Sequence, residues 1–321
     1  MMTTRAAVLD TIGLPAPYAQ SRPLRVREVE LAPPGDGELL IRVRAAGLCH
    51  SDLSVISGDR PRPVPMVLGH ESAADVVECG PNVHDLRPGD RVVLVFMPSC
   101  GGCMPCMEGR PALCEPGAAS NGAGTLLSGQ RRLSMAGVAV NHHVGVSCFA
   151  EHAVVSRRSC VKLDLSEAEL SHAEAALFGC AVLTGAGAVI NTARVQAGSS
   201  VAVLGLGGVD YAFEMAGAIP AMELAWRITR RGGSTVSAGL PHPDKRFALP
   251  PVQLVAEERT LRGSYIGSAV PARDIPRYID LYRRGKLPVN RLMGERLSLD
   301  DINVGFDRLA AGSALRDVVI L

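Results

Sequence analysis

The chain holds 321 residues with a formal net charge of +1; 47% are apolar and 20% charged. This length permits two domains with cores of their own, and the composition excludes a disordered chain. Near-neutral charge excludes a general attraction to nucleic acid or anionic membrane, and no apolar run approaches the length of a bilayer span. No export signal is visible at the N-terminus, so a cytoplasmic protein with neither nucleic-acid nor membrane partners is expected.

Residues 1 to about 160 carry short β-type runs, among them Glu38–Arg44, Ala74–Glu78, Asp90–Phe96 and Phe149–Val155. Turn signals at Pro33–Gly37 and Arg87–Asp90 separate them, which predicts an all-β barrel or sandwich. From Ser166 the composition shifts toward helix formers. Ser166 and Glu169 have the spacing of a capping box, and Thr184–Gln196 reads as a helix ended by Gly198. Ser200–Val209 reads as a buried parallel-type strand entering a glycine turn. Tyr211–Met215, Ser234–Ala238 and Leu261–Ile266 read as strands, and Pro220–Arg231 as a helix. Alternating strands and helices predict a parallel α/β sheet.

Four cysteines, Cys100, Cys103, Cys106 and Cys114, crowd one Gly/Pro-rich loop. Four thiolates this close can close a tetrahedral shell around zinc with no vacancy, which is a structural site. Two disulfides would fit an oxidising compartment, which nothing in this chain indicates. An iron–sulfur run has its fourth cysteine after three residues and followed by proline; here seven residues intervene and Glu115 follows.

Three further segments have metal character: Cys49 in Gly47-Leu-Cys-His-Ser-Asp52, His70 in Leu68-Gly-His-Glu71, and Cys180 in Leu177-Phe-Gly-Cys180. Each alone reads as a small buried hydrophobe or a hydrogen-bonded histidine. In this order, and together with the cysteine loop, they resemble the zinc-dependent alcohol dehydrogenases of the medium-chain dehydrogenase/reductase superfamily. Gly129–Val155 is similar to the branch containing glutathione-dependent formaldehyde dehydrogenase. The resemblance implies an α/β protein with a GroES-like β-barrel catalytic domain, residues 1–183 and 269–321, carrying a structural zinc lobe at about 97–115. A Rossmann cofactor domain would occupy 184–268.

Two zinc ions per chain and NAD are the implied cofactors. Cys49, His70 and Cys180 would hold a catalytic zinc with a fourth position for water or the substrate oxygen. Asp52 would orient His70 through its other nitrogen, and Glu71 would stand by as a secondary carboxylate. Ser51 would carry the alcohol's proton away, and His50 would face the cofactor pyrophosphate. Some relatives have a relay histidine where this chain has Ser54. The substrate would be a small alcohol or aldehyde, and the assembly a homodimer or homotetramer paired through the edge strand around Leu261–Ile266.

The chain departs from the pattern at the nucleotide turn. Gly205, Gly207 and Gly208 suit the phosphate-binding fingerprint, but Asp210 stands at the third glycine. Val209–Gly217 resembles the family's fourth strand, so the first helix and strands two and three are missing, which points to an internal deletion after Val209. The ribose-binding acid, expected about 20 residues on, falls near Ala225. Parallel neighbours need a crossover of about a dozen residues. Gly207–Val209 spans about 10 Å, while a five-residue strand demands about 15–20 Å. A sheet of family strands 1-4-5-6 is expected only if one strand unravels or reverses. Two functions follow: a zinc- and NAD(H)-dependent alcohol or aldehyde oxidoreductase, or a zinc-stabilised, dimer-forming relic with little cofactor binding. A redox-sensing zinc protein is a remote third reading, and Cys79, Cys148 and Cys160 read as core.

Overall fold

The computed structural model describes residues 1–196, 199, 201, 202 and 209–321. In chain order the strands are β1 (Met2–Leu9), β2 (Leu24–Leu31), β3 (Glu38–Gly47), β4 (Met66–Val67), β5 (Glu71–Cys79), β6 (Arg91–Leu94), β7 (Leu133–Met135) and β8 (Val138–His142). They continue as β9 (His152–Ser156), β10 (Cys160–Leu163), β11 (Val201–Ala202), β12 (Val209–Glu214), β13 (Thr229–Ser237), β14 (Thr260–Gly263), β15 (Arg296–Leu297) and β16 (Val318–Ile320). The chain divides into two compact units, Met1–Val182 with Val270–Leu321, and Leu183–Ala269.

The first unit holds a closed barrel in the order β1-β2-β7-β8-β4 and a sheet in the order β10-β6-β5-β3-β16-β15, with β9 also on β3. Apolar side chains of both sheets, including Leu9, Leu39, Ile41 and Val43, form its main core together with Phe149 from the connection before β9 and Phe306 from helix Ile302–Ala310. β3 is central and buried along most of its length, which fits its long apolar run.

Strand register decides what meets at one end of this sheet. β3 and β5 are antiparallel with Gly47 opposite Glu71. Cys49, just past β3, therefore comes beside His70, just before β5. β16 runs antiparallel to β3 with Val318 opposite Gly47, which brings Arg316 to the level of Cys49. β6 pairs Leu94 with Ser72, so Phe96 reaches the level of His70. In the barrel, β4 and β8 are parallel with Val67 beside His142, which sets His143 next to Leu68.

Expected helix boundaries differ in three places, two of them between Ser166 and Gln196. The Ser166–Glu169 box closes a turn: Glu169 accepts the Ser166 N–H and hydroxyl, both at 2.9 Å. The helix itself is His172–Ala176, and its capping box is Ser171 with Glu174. Two boxes lie five residues apart, and only the second leads into an apolar run packed on β5 and β3. The helix expected to run from Thr184 to Gln196 is observed as Ala181–Gly187 followed by a π-helical stretch, Ala188–Ala193, ending at left-handed Arg194. There Thr192 Oγ1 bonds the Ser264 and Ser268 hydroxyls at 2.8 Å, so side-chain anchoring ends the helix. Gly198 lies outside the described residues.

The second unit is a four-stranded parallel sheet in the order β11-β12-β13-β14. This is the contiguous remnant expected when family strands two and three are missing. Three details correct the expectation. Among the described residues the first strand pairs at Val201 and Ala202, opposite Tyr211 and Ala212, and Val201 is 42% exposed rather than buried. Residues 203–208 lie outside the described residues and are the whole covalent link to β12. Asp210 lies in β12, not in the turn, and Arg230 Nε donates to its Oδ1 at 2.7 Å. The helix expected at Pro220–Arg231 is Ile219–Ile228, because Thr229 already belongs to β13.

Candidate metal centres

His70 ends the three-residue connection between β4 and β5, in which only glycine fits at position 69. Its φ is +92°, and an added Cβ would lie 2.6 Å from the Phe149 nitrogen. The Gly69 N–H donates to Asp52 Oδ1 at 3.1 Å, and Asp52 Oδ1 also accepts from His70 Nδ1 at 3.1 Å. The imidazole tautomer is thereby set, and Nε2 is left buried without a partner. Cys49 caps the N-terminus of helix His50–Ser57, where unsatisfied N–H groups favour negative charge. Cys180 follows a 3₁₀ turn, Leu177–Gly179, that lies tight on β6: a Cβ on Gly179 would sit 2.1 Å from the Leu94 carbonyl oxygen.

One donor atom each from Cys49, His70, Glu71 and Cys180 lies within 4.8 Å of the others, and all four residues are buried. Neither Glu71 oxygen has a hydrogen-bond donor, although Arg316 Nη1 stands 3.5 Å from Oε2. Arg316 also donates to the Leu48 carbonyl at 3.0 Å. The electrostatics suit a cation. The two neighbouring sulfurs oppose each other's ionisation: beside Cys180, Cys49 is held well below the ordinary thiol range, and beside Cys49, Cys180 is held well above it. Burial pushes Glu71 up to about 7. Burial disfavours a charged His70, but Asp52 and Cys49 outweigh it and raise His70 well above its ordinary range. Burial likewise opposes ionisation of Asp52, but His70 and His143 outweigh it and hold the carboxyl at about 2. A buried set of two sulfurs, an unpartnered imidazole nitrogen and a carboxylate that draws protons in this way fits a zinc ion.

The second set is Cys100, Cys103, Cys106 and Cys114, whose sulfurs also lie within 4.8 Å of one another. Backbone N–H groups already point at sulfur: Gly102 and Cys103 donate to Cys100, and Cys100 and Gly117 donate to Cys114, at 3.2–3.4 Å. The donors from Gly102 and Cys103 lower the Cys100 thiol to about 6, whereas burial raises Cys106 to about 12. Four clustered thiolates cannot all ionise without a cation, and with one they match a closed tetrahedral site.

The other expected site residues are more scattered. Ser51 is half-buried, with Oγ 3.8 Å from Cys49 Sγ. His50 is exposed, and its carbonyl accepts the Ser54 hydroxyl at 2.8 Å. Gly205, Gly207 and Gly208 lie outside the described residues. Ala225, the expected ribose position, is buried in helix Ile219–Ile228. Two residues at the first centre, Arg316 and His143, carry no local motif. Strand pairing alone brings them in, and Arg316 is 268 residues from its partner Leu48. All nine cysteines are free thiols, and among the described residues no single helix is long and apolar enough to cross a membrane.

Comparison with known proteins converges on the same chemistry. Residues 35–165 match the alcohol dehydrogenase GroES-like domain, and residues 161–284 match the zinc-binding dehydrogenase domain. The S-(hydroxymethyl)glutathione dehydrogenase of Paracoccus denitrificans is 31% identical over 386 residues, covering 99% of this chain and all of the relative. Its Escherichia coli counterpart is 32% identical over 379 residues with the same coverage. Both spans exceed the 321 residues of this chain, as a missing internal segment requires. A Burkholderia ambifaria alcohol dehydrogenase zinc-binding domain protein superimposes with TM-score 0.89 at 28% identity, over 100% of this chain and 99% of that one. Benzyl alcohol dehydrogenase from Acinetobacter calcoaceticus gives 0.88 at 25% identity, with full coverage of both. With both domain signatures matched and both thiolate clusters in place, the chain belongs to the zinc-dependent alcohol dehydrogenases of the medium-chain dehydrogenase/reductase superfamily.

Proposed function

We propose that Cys49, His70 and Cys180 hold the catalytic zinc and that Cys100, Cys103, Cys106 and Cys114 hold a structural one. The reaction is hydride transfer between a primary or secondary alcohol, or the matching aldehyde or ketone, and NAD(H). One observation carries this reading: the buried donors of Cys49, His70, Glu71 and Cys180 converge within 4.8 Å, with His70 Nε2 unpartnered. Bound there, zinc supplies Lewis acidity toward the substrate oxygen.

The chain's own residues do the rest. Asp52 fixes the His70 ring so that Nε2 faces the sulfurs. Two sulfur ligands temper the positive charge at the site, so substrate oxygen is polarised without being trapped. Glu71, paired with Arg316, offers a carboxylate that can approach the centre or retire to the guanidinium. Ser51 takes the alcohol's hydroxyl proton and passes it to water, because Ser54 leaves no imidazole at the next relay position. His50, Gly205, Gly207 and Gly208 are the proposed cofactor contacts, supported by family membership, the parallel sheet and the glycine run. NAD(H) as the partner rests on the same support. A cytoplasmic setting accords with nine free cysteines. A homodimer or homotetramer through β14 accords with its place at the sheet edge. The relic reading has no specific finding in its favour.

Metal analysis with a cofactor titration tests the proposal. The purified chain is expected to carry two zinc per chain, and Cys49→Ser one. Alcohol-dependent NADH formation is expected from the first and not from the second. Two zinc retained in Cys49→Ser would refute the ligand assignment, and no NADH binding at millimolar cofactor would refute turnover by this chain.

A further inference from the structure

His143 is a buried polar residue that the zinc ligands do not explain. Its side chain is 4% exposed, and its Nδ1 lies 3.1 Å from Asp52 Oδ1, the oxygen already taken by His70 Nδ1 and the Gly69 N–H. The approach is close but off the straight hydrogen-bond line. Its ring meets the His70 ring edge-on, with centroids 5.5 Å apart at 83°. Phe96 meets the same ring at 5.2 Å and 85°. His70 is thus bracketed by one apolar ring and one that also reaches the carboxylate.

The backbone is strained to put His143 there. Val144 has φ of 44°, Gly145 of 69° and Ser147 of 52°, and a β-branched residue in the left-handed region is an outlier that surrounding structure must hold. Ser147 does the holding: its Oγ donates to the Val67 carbonyl at 2.8 Å and accepts the His143 N–H at 2.9 Å. An apolar side chain would fill this space at less desolvation cost than an imidazole. His142, one residue earlier, has a separate structural task, since its Nε2 accepts the Arg132 N–H at 3.0 Å.

We propose that His143 is a second positioning residue for the metal-binding imidazole: it secures the Asp52 carboxylate and abuts the His70 ring, keeping Nε2 directed at Cys49 and Cys180. Partners of this kind, one step removed from the metal, change metal affinity about 10–100-fold. The inference rests on the catalytic zinc site proposed above. In the zinc-loaded full chain, zinc release to a chromophoric chelator separates the two equivalents and distinguishes the failures.

His143→Phe is expected to release one equivalent about tenfold faster while the other keeps its rate. His143→Asn, which retains an N–H donor at similar reach, is expected to stay near the parent rate. In an Asp52→Asn background, His143→Phe is expected to add little, since its effect passes through the carboxylate. Unchanged release in His143→Phe, equal acceleration in the Asn and Phe variants, or a full effect persisting without Asp52 would each overturn the proposal. Loss of both equivalents from both His143 variants would assign His143 to the fold and overturn it too. A parent protein carrying a single equivalent would instead refute the zinc site beneath it.

Discussion

Three buried histidines near the first centre do different work, and burial sets the difference. His142 accepts a backbone N–H, and burial with Arg131 and Arg132 nearby lowers its pKa to about 3. A folded-state pKa below the unfolded value of about 6.5 means that the unfolded chain binds the extra proton. This contribution to stability is therefore present above about pH 6.5 and is lost as pH falls toward 3. His142→Gln keeps an acceptor and removes the titration. Between about pH 6 and 4 the parent should lose about 1.4 kcal/mol per pH unit more than the variant. Urea unfolding at several pH values reads this, and equal slopes would contradict it. Gly69 is the second critical residue. Gly69→Ala forces a Cβ into the Phe149 backbone at positive φ and is expected to cost about 2–4 kcal/mol, read as a lower urea midpoint. Ser51→Ala should lower turnover about 10²–10⁴-fold with the zinc content unchanged.

At the scale of elements, hydrogen-bond geometry is legible in local sequence, but which of two equivalent signals matters is not. Ser166–Glu169 and Ser171–Glu174 both satisfy the capping-box spacing, and both form their bonds. Glu174 also accepts the Tyr282 hydroxyl at 2.6 Å, tying its helix to helix Pro271–Arg283, whereas Glu169 reaches that helix only through a half-exposed ion pair with Arg283 at 3.6 Å. Ser171→Ala should therefore cost about 1 kcal/mol, and Ser166→Ala less than about 0.5 kcal/mol. Comparable losses in thermal unfolding would show that tertiary anchoring adds nothing. The cysteine lobe was readable because its ligands lie on one short loop and need no distant partner. No residue of 98–113 belongs to either core cluster of the first unit. Cys103→Ser should thus shed one zinc and expose the lobe to protease, while far-UV circular dichroism stays near that of the parent.

For the whole molecule, the contiguous sheet β11-β12-β13-β14 is what the absence of family strands two and three would leave. The remaining sheet is contiguous because strands one and four are neighbours in the family's order. Asp210, which looks like a damaged fingerprint position in the sequence, is an ion-paired strand residue in the fold. If β14 joins copies, light scattering should give a dimer or tetramer; a monomer at micromolar concentration would exclude that assembly.

Local chemistry was enough for the β-rich and parallel α/β segments and for the cysteine lobe, since spacing, turn residues and ligand type are properties of short stretches; the three other metal-bearing segments were legible only through their joint resemblance to a family. Convergence was not. Cys49, Glu71, His143 and Arg316 meet because Gly47 pairs with both Glu71 and Val318 and because β4 pairs with β8, and Cys180 joins them because the turn Leu177–Gly179 packs on Leu94 of β6. Register between distant strands is set by the packing of the whole core, so the neighbours of His70 were decided by tertiary structure.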